Sequence, residues 1–235
     1  MTNEHISSAF DVDLEGVQAQ IMKMGGMVEN AIRLGMKSLE TRDEDLAQQV
    51  RAADGNIDAL EEAINESAAR IIALRAPTAI DLRLILSVIK ISSNLERIGD
   101  YAKNMAKRTE VLSNVAPISD STGTLRRMTR AVEVMLKDAL DAYIHRDAAL
   151  AADVIARDVE VDQMYNALFR ELLTFMMEDP RKITACLHLH FISKNTERMG
   201  DHVTSIAEQV IYLANGKQPD EARPKADTTS TDGGV

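Results

Sequence analysis

The chain has 235 residues, a formal net charge of −10, few aromatic residues and no tryptophan. That length holds one large domain or two of about 100 residues each. A composition dominated by Ala, Leu, Met, Glu, Lys and Arg is that of an all-α protein. The acidic balance excludes nucleic acid as a partner, because a phosphate backbone demands clustered Lys and Arg. No run approaches the roughly 20 apolar residues of a membrane-spanning helix, so no membrane insertion is expected.

The first helix contains "MKMGGMVENAI" and carries Gly16, Gly25, Gly26 and Gly35. Interior glycines cost about 1 kcal/mol each against alanine, and close helix approach is the expected reason for them. "LETRDED" at 39–45 ends this helix and offers Asp43 as the cap of the second. There Val50, Ile57, Ile64 and Ile71 form one stripe, with Leu46, Ala53, Leu60 and Leu74 beside it. "RAPTAID" at 75–81 is the next break, with Thr78 placed to cap the third helix. In that helix Val88, Leu95, Ala102 and Thr109 alternate with Leu84, Ile91, Ile98, Met105 and Leu112. This is the seam of a helical bundle. "SNVAPISDSTG" at 113–123 is the longest polar gap; "YIHRDAAL" and "MEDPRK" then repeat the first two breaks. Asn215-Gly216 stops the last helix, and the polar remainder reads as a disordered tail.

The two halves are copies. Residues 41–58 match 145–162 at an offset of 104, with eight of 18 positions identical. Residues 91–100, "ISSNLERIGD", match 192–201, "ISKNTERMGD", at an offset of 101, with seven of ten identical. The organisation expected is two tandem three-helix bundles of six long antiparallel helices: 1–113, 114–216, and a tail over 217–235. Helices of about 30 residues are about 45 Å long, which implies a flat or elongated molecule.

Each copy sets a Glu and an Asp four residues apart on one helix face: Glu96 with Asp100, and Glu197 with Asp201. Like charges so placed repel unless something positive sits between them. The preceding helix carries a second pair in each copy, Asp54 with Asp58 and Asp158 with Asp162. Counted from Pro77, Asp58 and Glu96 both lie 19 residues away, and Asp54 and Asp100 both lie 23 away. From Pro180, Asp162 and Glu197 lie 18 and 17 residues away, and Asp158 and Asp201 lie 22 and 21. Antiparallel helices of equal rise therefore lift four carboxylates to one level in each half.

An acidic cluster with no Arg or Lys at its centre needs cations, and all-oxygen ligation favours Mg, Mn, Ca or ferric iron over zinc. Glu96 and Asp100 lie on the flank of the seam, so a surface or groove site is expected. Gly99 and Gly200 would leave the backbone beside it open. The alternative is a solvated acidic face paired with Arg97, Lys103 and Arg198. His190, two turns before Glu197, is a further candidate ligand; His188 points elsewhere. Cys186 reads as a small core residue and, as the single cysteine, excludes an intramolecular disulfide. The "MTNEHISSAF" start has neither a basic nor an apolar signal region, so a cytoplasmic location is expected. Arg126, Arg127 and Arg130 form a short basic patch that reads as a solvated helix face. No ExxH, phosphate-cradling loop or nucleophile–base arrangement is visible.

The "ERIGDYAKNMAKR" and "ERMGDHVTSIAEQ" segments, the "PTAIDLRLIL" entry to helix three, the "MKMGGMVENAI" helix and the duplication together resemble the PhoU family, over roughly residues 5–215. The resemblance implies tandem three-helix bundles, commonly dimeric and cytoplasmic. It implies a non-enzymatic negative regulator of phosphate uptake and of the phosphate-starvation response. Such a regulator links the ATPase subunit of the phosphate ABC transporter to a phosphate-sensing histidine kinase. It also implies metal binding at Glu96, Asp100, Glu197 and Asp201, to which the level count adds Asp54, Asp58, Asp158 and Asp162. "PRKITACL" replaces the "DLR" segment in the second copy, so the halves need not be equivalent. A metal-independent helical adaptor is the alternative reading. A carboxylate-metal hydrolase is a more distant one, because no general base or substrate pocket is visible.

Overall fold

The computed structural model describes residues 2–118 and 121–217, and side chains from Phe10 onward. The chain forms α1 (Thr2–Thr41), α2 (Glu44–Arg75), α3 (Ala79–Ser113), α4 (Ser121–His145), α5 (Ala148–Glu178) and α6 (Ile183–Asn215), with one 3-10 turn at Pro180–Lys182. The expected tail from residue 218 onward lies outside the described residues.

The helix ends follow local chemistry. Asp43 caps α2, its Oδ1 accepting from the Leu46 amide at 2.8 Å, and Asp147 caps α5 in the same way. Gly216, with φ of 76°, turns left-handed after α6 and donates its amide to the Tyr212 carbonyl. Thr78 departs from expectation. It precedes α3 but makes no cap bond, because its hydroxyl donates to the Asp81 carboxylate at 3.1 Å instead.

The α3 stripe is buried at every predicted position, as are Val50, Ile57, Ile64 and Ile71 of α2. Leu74 and Ala53 depart from prediction: both are exposed, Leu74 by 72%, because each stands at the edge of the α2 stripe rather than under it. Within each half three helices pack around their own seam. The halves then join through α1 against α4 and α3 against α6, so that one core runs through both and α2 and α5 lie outermost.

The junction is a pseudo-two-fold. Thr129 Oγ1, which donates to the Leu125 carbonyl, lies 3.6 Å from Met36 Sδ, and Leu140 packs on Gly25. Shifted by 104, Gly25 becomes Thr129 and Met36 becomes Leu140, so these are one contact seen from each copy. On the other layer His202 meets Asn94 and Tyr101, Arg108 meets His188, and Arg83 covers Tyr212. Residue numbers rise along α3 as they fall along α6. The helices are antiparallel, and the two acidic motifs stand beside the midpoint of their crossing.

Of the four α1 glycines, Gly25 admits Leu140 and Gly35 lies against the α3 backbone, 3.3 Å from the Ala102 carbonyl oxygen to an added Cβ. Gly16 and Gly26 face open space, so packing accounts for two of the four.

Candidate functional site

The hairpin at residues 76–78 carries the chain from α2 into α3 and sets their register. In the first half Asp54 and Asp58 on α2 lie within electrostatic reach of Asp100 and Glu96 on α3. Partial burial, then the charges of Asp54 and Asp100, hold the Asp58 carboxyl above its usual range, with Lys103 offsetting part of the rise. Glu96 is raised in the same way, first by burial and then by Asp100, with Glu61 and Asp58 adding and Arg97 opposing. Glu61 is a fifth acid that the pairwise count overlooks, although it stands only three residues beyond Asp58.

Lys103 also belongs to the site. Its Nζ lies 2.5 Å from Asp54 Oδ2 and 3.4 Å from Asp100 Oδ1, bridging the two helices. The expectation of an acidic cluster without a central cation fails in this half. A lysine three residues after Asp100 has enough reach to turn back over the face, and Asp54, at 4% exposure, demands a partner.

The second half is arranged differently. Asp158, Asp162 and Glu197 are all buried and Asp201 is half-buried, whereas in the first half only Asp54 is buried. At the position of Lys103 stands Thr204; positive charge arrives instead from Lys194, 3.0 Å from Glu197 Oε2. The groove geometry read from the sequence therefore describes the first half, and the second half is more enclosed.

The motif glycines do not leave open space. A Cβ on Gly200 would stand 2.6 Å from Asp158 Oδ1, and one on Gly99 would stand 3.1 Å from Ile57 Cδ1 and 3.8 Å from Asp54 Oδ1. They let the preceding helix press a carboxylate against the backbone of the motif. This corrects the view that they keep room for an ion.

His190 packs among aromatic rings, with centroids 6.0 Å from Tyr165, 5.1 Å from Phe169 and 5.9 Å from Phe191. Burial and the nearby Lys194 ammonium lower its pKa. Because Lys194 also pairs with Glu197, the ground between His190 and the acids holds a cation of the chain's own. His188 lies 3.4 Å from Arg108, whose guanidinium covers Phe191. Cys186 is fully buried, and burial raises its thiol pKa. Arg126 and Arg130 are exposed and pair with Glu40 and Glu133.

The carboxylates of Asp58, Glu96 and Asp100 are the donor type that hard cations prefer. The raised carboxyls of Asp58 and Glu96 mark a place where added positive charge is favourable. As the side chains stand, no three His, Cys, Asp or Glu groups among the described residues are gathered closely enough to hold one ion. A cation bound there would share the site with Lys103 or displace it.

The family model described as the PhoU domain matches twice, over residues 21–109 and 125–210. The chain belongs to the PhoU family. Each match lies within one of the two three-helix units. Relatives extend over the full length: the phosphate-specific transport system accessory protein PhoU homolog of Caulobacter vibrioides is 45% identical, covering 97% of this chain and 99% of that protein. The homolog of the same name in Rhizobium meliloti is 44% identical over 100% of this chain and 99% of its own. The crystal structure of PhoU from Pseudomonas aeruginosa matches with a TM-score of 0.86 at 41% identity, covering 88% of this chain and 100% of that one. A phosphate transport system regulatory protein PhoU from Streptococcus pneumoniae matches with a TM-score of 0.82 at 27% identity, covering 90% of this chain and 100% of that one. Among the described residues no helix is long and apolar enough to cross a membrane.

Proposed function

We propose that this PhoU protein acts in the cytoplasm as a non-enzymatic negative regulator of phosphate uptake and of the phosphate-starvation response. It would couple the ATPase subunit of a phosphate ABC transporter to a phosphate-sensing histidine kinase, and work as a homodimer. The observation that carries this reading is the end-to-end match to accessory proteins of phosphate-specific transport. The paired helices suit the task. Acids at one level on α2 and α3, and again on α5 and α6, make the register of each hairpin responsive to whatever neutralises them.

A bound hard cation would supply that neutralising charge. Asp58, Glu96 and Asp100 would hold it in the first half, with Asp54 kept by Lys103. Asp158, Asp162, Glu197 and Asp201 would do so in the second. Deleting the gene should leave phosphate uptake and the starvation response switched on at high phosphate; unchanged regulation overturns the reading. Pull-downs with the transporter ATPase and the kinase cytoplasmic domain should retain the protein, and a Glu96→Ala/Glu197→Ala variant in metal or chelator reads the contribution of the acids.

A metal-independent adaptor is the second reading, and Lys103 is the observation that favours it. A lysine already bridging Asp54 and Asp100 can hold α2 and α3 in register alone. Protein purified without added metal, free of bound ions and equally stable in chelator, would decide for the adaptor.

A further inference from the structure

Away from the acidic face, the two halves differ on the side where the outer helix meets the first helix of its unit. In the second half Arg157 on α5 is held between two carboxylates, 2.6 Å from Asp138 of α4 and 3.0 Å from Asp153. The offset of 104 maps this triad onto Ala53, Leu34 and Gln49, none of which is charged. All three line a cleft of about 350 Å³ between α1 and α2. The first half therefore has a cavity where the second keeps an arginine.

The cleft has the chemistry for the same kind of group. Met27, Leu34 and Val50 give an apolar wall to an alkyl stem, and the amides of Gln49 and Asn56 supply acceptors, the Asn30 oxygen being held by Arg33 at 2.6 Å. Asp54, at 4% exposure, forms part of the lining, and Asp58, Asp100 and Glu96 lie within electrostatic reach around it, outnumbering the cations Lys103, Arg97 and Arg33 nearby. That field repels anions and favours a cation. A purely apolar occupant would cover the amides without bonding them. A guanidinium is the weakly hydrated, planar cation best suited to a half-apolar slot.

We infer that this cleft is a socket for an arginine side chain of a partner protein, whose guanidinium takes the place in the first half that Arg157 holds in the second. Gln49 and Asn56 bond the guanidinium at the rim, and the excess of acids around Asp54 sets its charge preference. The second half needs no such partner, because it fills the place itself.

The test uses the full chain with methyl-labelled Met, Ala and Ile, titrated with the blocked tripeptide Gly-Arg-Gly, its citrulline counterpart and agmatine. The arginine peptide should shift the Met27, Ala53 and Ile57 methyls saturably, while neutral citrulline should bind at least tenfold more weakly. Ala53→Arg, which installs the second half's own occupant, should weaken peptide binding at least tenfold. Gln49→Asp is an exposed change that restores the counterpart of Asp153, and it should tighten binding three- to tenfold whether or not Ala53→Arg folds. Equal shifts with citrulline, undiminished binding in folded Ala53→Arg, or no gain with Gln49→Asp would overturn the inference. Agmatine binding without peptide binding would do so as well, by assigning the cleft to a free small cation.

Discussion

Asp158 on α5 presses its carboxylate onto the backbone of Gly200 on α6, with Oδ1 2.6 Å from the point a Cβ would occupy. Asp158 is 2% exposed and short, so it has little freedom to withdraw. Gly200→Ala should therefore destabilise the protein by about 1–3 kcal/mol, as overpacking does elsewhere. Gly99→Ala meets the far end of a flexible Ile57 side chain at 3.1 Å, and the gain in helix propensity of about 1 kcal/mol offsets the crowding. Urea unfolding of the two variants should rank Gly200→Ala clearly below Gly99→Ala.

Lys103 and Asp54 form an ion pair with one buried partner. Lys103→Met leaves Asp54 buried without the ammonium that bridges it to Asp100. The exposed lysine is partly replaced by water, which holds the loss to about 1–2 kcal/mol. Adding Asp54→Asn should recover most of it. A double-mutant cycle by chemical denaturation measures the coupling, and additive single effects would refute it.

The carboxyls of Asp58 and Glu96 lie above their ordinary values in the folded protein. Their contribution to stability is therefore fully present below the unfolded values and is lost as pH rises through the folded ones. A hard cation held at the proposed site would supply at neutral pH the relief that protons supply in acid. Millimolar Mg²⁺ or Ca²⁺ should raise the Tm at pH 7 more than at pH 4, and Glu96→Gln should shrink the difference. Calorimetry at the two pH values checks both.

His202 titrates with the opposite sign. Burial first, then Arg97 and Arg198, lower its pKa while Nδ1 stands 2.8 Å from Asn94 Oδ1 across the α3–α6 junction. A depressed value means that its contribution is present above the unfolded pKa and lost as pH falls towards the folded one. His202→Gln should lose less stability than the parent between pH 7.5 and pH 5. Denaturation midpoints at those two pH values give the comparison.

The level match of the acids was legible because it depends on two local quantities, the rise per residue and the length of each hairpin arm. Counting from Pro77 brings Asp58 and Glu96 to one level, and both carboxyls are raised, first by burial and then by neighbouring acids. The bridging role of Lys103 was half legible: its spacing from Asp100 is local, but its grip on Asp54 depends on how α2 and α3 are rotated about their axes. Glu61 is in the same position. The packing of Asp158 on Gly200 was not legible, because a glycine between two acids reads equally well as free space.

By itself the sequence determined the six helices, their caps at Asp43 and Gly216, the buried face of α3 and the duplication. These follow from backbone chemistry and a 3.6-residue period, which act over a few turns at a time. Tertiary structure alone decided that α1 meets α4 and α3 meets α6 about a pseudo-two-fold. It also decided that matching positions in the halves hold unlike environments: Asp54 held by Lys103, Asp162 and Glu197 buried, and an open cleft at Ala53 where Arg157 closes the other side. Periodicity fixes which face of a helix is apolar, but the rotation and separation of neighbouring helices come from how their side chains interlock. Burial and charge pairing at a given residue follow from that interlocking.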